Sequence, residues 1–265
     1  MTNDRQLRLT WILISLGLLI LLTGCLQVGT AMSNKQFPAE QYFDEPMVSF
    51  LNAVKRQDRQ RAQSILDQGL DLNIHGREGI TPLMWIIMQW DLQATELMLQ
   101  LGADPNFAVL HRTQPLYSVA GGSKKISTDL VKKLLQYGAD PNSTDHGGTP
   151  ALFRAISNDN WEQFEILIAA GADMDAVDNT ERNAALYAAN IRRFDFVLEL
   201  LKRGAHPNKI STTGGSIAGV IYRVESSERI QPSESLLQTK VLLIEKGVPY
   251  PPPTPAEQRE IRARQ

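Results

Sequence analysis

Residues 46–250 repeat one pattern of apolar and polar positions. Its clearest copy runs from Gly79 to Asn106. Thr81 can accept an orphan amide of a first helical turn, and Pro82 takes the next position, where its missing N–H costs nothing. The apolar run from Leu83 to Met88 follows. Gln89-Trp90-Asp91 fits a tight turn. Apolar residues at 94, 97, 98 and 101 then mark a second helix by their spacing. Gly102 ends it, because glycine takes the left-handed conformation without steric penalty. Asp104-Pro105-Asn106 forms an extended turn. The predicted unit is helix, turn, helix, glycine stop and polar finger.

The stop returns at Gly69, Gly102, Gly138, Gly171, Gly204 and, in degenerate form, Gly247, at intervals of 33, 36, 33, 33 and 43 residues. An Asp or Asn turn follows most of them, as in Asp71-Leu72-Asn73, Asp140-Pro141-Asn142 and Asp173-Met174-Asp175. A helix-pair period of 33 residues headed by Thr-Pro-Leu resembles the ankyrin repeat. The resemblance implies an all-α solenoid of about six helix-turn-helix repeats, in which each unit buries its apolar face against its neighbours. The sequence departs from the repeat in places. Met84 stands where the family has His, repeat three opens Gln114-Pro115-Leu116-Tyr117, Thr149-Pro150 is slid by one residue, and repeat five has Asn183-Ala184. These changes are expected to weaken local helix caps.

The flanks read differently. Arg5 and Arg8 precede an apolar run, Leu9 to Leu22, whose 14 residues are short for a membrane span. It ends Leu22-Thr23-Gly24-Cys25, which resembles the bacterial lipobox. The resemblance implies cleavage before Cys25 and lipidation of that residue. Residues 1–24 are thus expected to be a lipoprotein signal peptide, 25–45 the lipidated Cys and a tether, 46–250 the repeat domain, and 251–265 a Pro-rich, charged tail that is frayed or disordered. Leu26 after the Cys favours the outer membrane over the inner. Repeat one, with Met47, Phe50, Leu51 and Val54 on one stripe and Lys55, Arg56, Asp58, Arg59 and Arg61 around it, suits a polar terminal cap.

Composition narrows the picture further. Hydrophobic residues make up 43% of the 265 positions, enough to fill a shared core. The net charge of −2 gives no nucleic-acid footprint. The single cysteine excludes an internal disulfide.

Candidate chemistry is sparse. Gly121-Gly122-Ser123-Lys124-Lys125 lacks the spacing of a phosphate loop and follows no strand. Gly214-Gly215-Ser216-Ile217-Ala218 approaches a nucleophile elbow, but no His follows Ser216 in the chain. His75, His111 and His146 fall on successive fingers. Neighbouring repeats stack about 8–10 Å apart, too far for three imidazoles to meet one zinc ion. No enzyme activity, metal or cofactor is expected.

A binding surface remains. Ankyrin proteins bind partners with their fingers and the exposed face of each first helix. By position, that surface comprises Trp85, Met88 and Gln89 in repeat two, Arg154 and Ser157 in repeat four, and Tyr187 and Asn190 in repeat five. The fingers add His75, Arg77, Glu78, Phe107, His111, Arg112, Asp145, His146, Asp178, Glu181 and Arg182. Trp, Tyr and Arg are frequent interface anchors. Taken with the lipobox, the architecture is similar to small ankyrin-repeat lipoproteins, often called Tli, that serve as immunity proteins against phospholipase effectors of type VI secretion. The resemblance implies a periplasm-facing, lipid-anchored inhibitor that grips a secreted lipase. The alternative is an envelope scaffold organising a resident complex.

Overall fold

The computed structural model describes residues 37–110, 113–227 and 230–264. The expected signal peptide, Cys25 and the first part of the tether lie outside the described residues, as do His111 and Arg112.

Residues 39–264 form a stack of helix pairs: α1 (Met47–Lys55) with α2 (Arg59–Leu66), α3 (Pro82–Met88) with α4 (Leu92–Gln100), α5 (Pro115–Val119) with α6 (Lys125–Gln136), α7 (Ala151–Ser157) with α8 (Trp161–Ala169), α9 (Ala184–Asn190) with α10 (Phe194–Lys202), and α11 (Ile217–Glu225) with α12 (Glu234–Glu245). A further helix, α13 (Pro255–Ala263), follows the last pair. Among the described residues there are thirteen α-helices and no strand. The first helices touch one another in succession, and α1·α4, α4·α6, α6·α8 and α10·α12 link the second layer to the stack.

Local chemistry explains the starts and stops. Asp58, Thr81, Asp91, Asn160, Asn183, Ser216 and Ser233 each accept an amide of the first turn they precede. The Asn183 substitution therefore preserves its cap, because the amide oxygen reaches the Leu186 N–H at 3.0 Å. Gln114 and Pro150 give no side-chain cap, so the weakening expected in repeats three and four is present.

The first helices are short and packed on both sides. Ala184, Ala185, Ala188 and Ala189 of α9 are fully buried, and their small side chains let α7 and α11 approach from either side. The second layer is aromatic in its middle. Trp161 lies 4.6 Å from Phe196 and 5.3 Å from Phe164 between ring centres.

Two segments differ from expectation. Ala39, Tyr42 and Phe43, expected in the tether, are buried against the first repeat, so the packed region begins before Pro46. Residues 255–263 form a capped helix. The insertion in repeat three shortens α5 to five residues, and Gln163 fills the gap from the next repeat. Its amide accepts from the Gly121 N–H at 2.6 Å and donates to Ser127 Oγ at 3.0 Å.

Candidate protein-binding site

Between successive repeats the chain forms a row of hairpin fingers. Each closes with one backbone N–H···O bond four residues apart: Gly76 to Ile80, Val109 to Thr113, Asp145 to Thr149, Asp178 to Arg182, and Ser211 to Gly215. The closures keep the spacing of the glycine stops. Below them runs a side-chain ladder. Asn73, Asn106, Asn142 and Asp175 each accept the backbone N–H of the residue two places after the next glycine stop, at 2.7–2.9 Å. The Asp–x–Asn turns are thereby the ties between repeats. His206 serves in the last one, with Nδ1 accepting the Asn208 N–H at 3.2 Å.

This geometry corrects several expectations. Asp145 and Asp178 are internal staples of their fingers. Asp145 Oδ1 accepts from Gly147 and Thr149 N–H, and Asp178 Oδ1 accepts from Thr180 and Arg182 N–H. Asp178 is only 5% exposed. Burial pushes its carboxyl up, but the bonds from Arg182 and Thr180 outweigh that, and the group lies below its ordinary value. Asp145 is likewise lowered against its own burial, by the Thr149 amide and the Tyr117 hydroxyl. Trp85, expected on the exposed face, is 1% exposed and packs in the core with Lys55 over its ring. Arg77 is engaged with the N-terminal segment, donating to the Glu40 carbonyl at 2.9 Å and pairing with Asp44. Glu181 is paired with Arg262 of α13.

Other residues do converge. Arg154 lies over the Tyr117 ring at 5.0 Å and donates to the Ala120 carbonyl at 2.9 Å. The Tyr117 hydroxyl donates to Asp145 at 3.1 Å. Burial and the adjacent Asp145 raise that phenol above its usual value. One repeat further on, Phe153 and Tyr187 lie 4.7 Å apart, and Arg182 sits 5.2 Å over Tyr187 while holding Asp178. Repeats three to five thus present half-buried Arg154, Tyr187 and Arg182, with the buried Tyr117 ring beneath Arg154, held in place by carboxylates and carbonyls behind them. Tyr117 is absent from the set expected from sequence; it is the third residue after Gln114, one place short of the position that Tyr187 holds after Asn183.

Met88 and Gln89 are half-buried, with Gln89 donating to the Trp85 carbonyl. Phe107 is half-buried and stacks on His75 at 4.8 Å, whose Nε2 meets the Ala108 carbonyl at 2.9 Å. Glu78, His146, Ser157 and Asn190 are exposed. Ser216 is buried and its hydroxyl caps α11, accepting the Gly219 N–H at 3.1 Å. Among the described residues no three His, Cys, Asp or Glu side chains are grouped to hold a metal ion.

Residues 120–211 match the family model for ankyrin repeats (3 copies). An ankyrin repeat protein of Rickettsia bellii is 30% identical over 118 residues, covering 43% of this chain and 34% of that protein. One of Variola virus is 28% identical over 134 residues, covering 49% of this chain and 24% of that protein. The matched region spans about a third or less of these curated relatives' length. Among solved structures, an ankyrin repeat domain from Acinetobacter baumannii AYE superposes with a TM-score of 0.59 at 24% identity, covering 75% of this chain and 97% of the other. The ankyrin repeat protein EF0377 gives 0.59 at 18% identity, covering 76% and 99%. The helix pairs, the finger row and these likenesses agree: the chain carries ankyrin repeats, and its described part has the ankyrin-repeat fold.

Proposed function

We propose that this protein is a lipid-anchored inhibitor on the periplasmic face of a bacterial envelope, and that it binds and neutralises a phospholipase effector delivered by type VI secretion. Ankyrin repeats are protein–protein interaction modules, and nothing in the described residues indicates catalysis. The observation that carries the reading is the ladder of Arg154, Tyr187 and Arg182, backed by the buried Tyr117. Its side chains are fixed before any partner arrives, which lowers the entropy lost on binding, and they belong to the residue types that anchor interfaces. The Leu22-Thr23-Gly24-Cys25 sequence supports the anchor. Its dual acylation would hold the inhibitor beside the bilayer that the lipase attacks, raising its effective concentration there.

The test is a pull-down with residues 33–265 from cells that make the effectors secreted by the same strain. Recovery of a single lipase whose hydrolysis falls on binding is the expected result. Recovery of resident envelope proteins, with every lipase unaffected, would overturn the immunity reading in favour of a scaffold. Palmitate labelling that survives Cys25→Ser would refute the anchor.

A further inference from the structure

The last helix, α13, is seated on the finger row and not within the helix stack. Arg262 forms a two-pronged ion pair with Glu181, its Nε donating to Oε2 at 2.8 Å. Arg259 donates to the Thr213 carbonyl at 3.1 Å. Both fingers beneath it touch it at their left-handed positions. Gly148 and Gly214 hold the left-handed position of their fingers, with φ of +77° and +79°, but Glu181 holds it in the finger between, at +59°. A glutamate rarely adopts that conformation. Here its carboxylate meets Arg262. At Gly214 a Cβ would stand 2.1 Å from the Pro255 carbonyl oxygen, so the helix could not approach a larger residue.

The fit is nevertheless incomplete. Gln258 is the one buried side chain of α13, and its Oε1 has no hydrogen-bond partner. Ile261 remains 39% exposed, beside a gap of about 50 Å³ lined by Ile210, Ala218, Val248 and Pro249. On the other side a depression of about 580 Å³ opens between Glu181, His206, Lys209 and Arg262. The Arg262–Glu181 pair is only half-buried and remains open to solvent, and pairs near the surface hold weakly. Pro251, Pro252 and Pro253 join α13 to the stack as a short semi-rigid spacer. The helix also carries its own start signal. Thr254 and Glu257 form a capping box with Pro255 at the first position, so helicity does not depend on the seat.

From this geometry we propose that α13 is a detachable internal ligand, and that its seat is a docking site for a short amphipathic helix of a protein partner bearing a basic side chain toward Glu181. The occupant's chemistry is read from the one helix seen there: an apolar group over Ile210 and Ala218, and a guanidinium or ammonium one position further on. Helix-in-groove docking of this kind places its anchors on one helical face. A partner helix that keeps the basic contact to Glu181 and also fills the larger depression has the advantage over the internal helix. The seat adjoins the ladder at the Asp178–Arg182 finger, but its test needs no effector, so its failure would leave the immunity reading standing.

The experiment uses the full-length chain in detergent and a fluorescent synthetic peptide of residues 251–265. In Arg262→Glu, which faces Glu181 with a like charge, the amides of α13 are expected to lose hydrogen-exchange protection while those of α10 keep theirs. That variant should bind the peptide at least tenfold more tightly than the wild-type chain does. Combining Arg262→Glu with Glu181→Arg should restore protection and abolish binding of the wild-type peptide. Retained α13 protection in Arg262→Glu, or a released helix whose seat binds no peptide, would overturn the proposal. A wild-type chain that sediments as a dimer, with α13 protected only at concentrations where the dimer forms, would assign the seat to a second copy and equally overturn it.

Discussion

At Gly171 the backbone has φ of +92°, and nothing lies within 4 Å of where a Cβ would stand. The position demands glycine for its conformation alone, since space is free. Gly171→Ala is therefore expected to lower stability by about 1 kcal/mol, seen as a fall in the thermal midpoint of roughly 2–4 °C. The finger carboxylate Asp178 makes a second prediction at this scale. Its folded value lies below the ordinary 3.8, because the Arg182 and Thr180 bonds outweigh its burial. A depressed carboxyl contributes stability that is fully present above its unfolded value and is lost as pH falls through the folded one. The wild-type urea midpoint should thus fall more steeply than that of Asp178→Asn as pH drops from 5 toward 2. Parallel curves would show that the charge on Asp178 does not matter.

Among the elements, the short α5 and the Gly121–Lys125 turn depend on a side chain from another repeat. Gln163 is fully buried, and its carbonyl is the hydrogen-bond acceptor for the Gly121 amide. Gln163→Ala leaves that donor without a partner in the interior, while Ser127 keeps its bond to the Val119 carbonyl, at a cost of about 2 kcal/mol. Hydrogen exchange should localise the loosening to residues 119–128, and a uniform change along the stack would contradict the assignment. Little of this was legible in advance. The caps at Thr81 and Asp91 and the glycine stops could be read from sequence because each acts within one turn of its own helix. The Gln163 bridge could not, because its partner lies 42 positions away. Trp85 was misplaced for a related reason. A seven-residue first helix wedged between neighbouring repeats buries Leu83, Trp85, Ile86 and Ile87 around most of its circumference, so no wide exposed face is left.

Over the whole repeat region, chain segments cover both ends of the finger row. At one end Tyr42 to Asp44 lies over Gly76 and Arg77; a Cβ on Gly76 would stand 2.4 Å from the Phe43 ring. At the other, α13 lies over Glu181 and Gly214. Between them lie the finger closed by Asp145 and Thr149 and the ladder from Tyr117 to Tyr187. Partner binding is expected to concentrate there. Arg154→Ala and Tyr187→Ala should each weaken capture of the bound lipase by at least about 1 kcal/mol, or roughly fivefold. Glu78→Ala, near the covered N-terminal end, should change it little. Calorimetry on variants with unchanged melting temperature checks this, and equal losses at all three positions would refute a central site.

The sequence by itself determined the repeat: its helix pairs, its period, its glycine stops and the order of its fingers. Each of these follows from contacts within one turn or one repeat, which periodicity exposes. Only the tertiary structure decided which polar residues are free to meet a partner. Asp145, Asp178, Arg77 and Glu181 look alike along the chain as charged finger residues, but each is engaged with its own finger or with a terminal segment. Tyr117 and Tyr187 gained their place because stacking brought Arg154 and Arg182 over their rings. A residue type sets what a side chain can bind. Whether it remains available depends on the neighbours that folding brings to it.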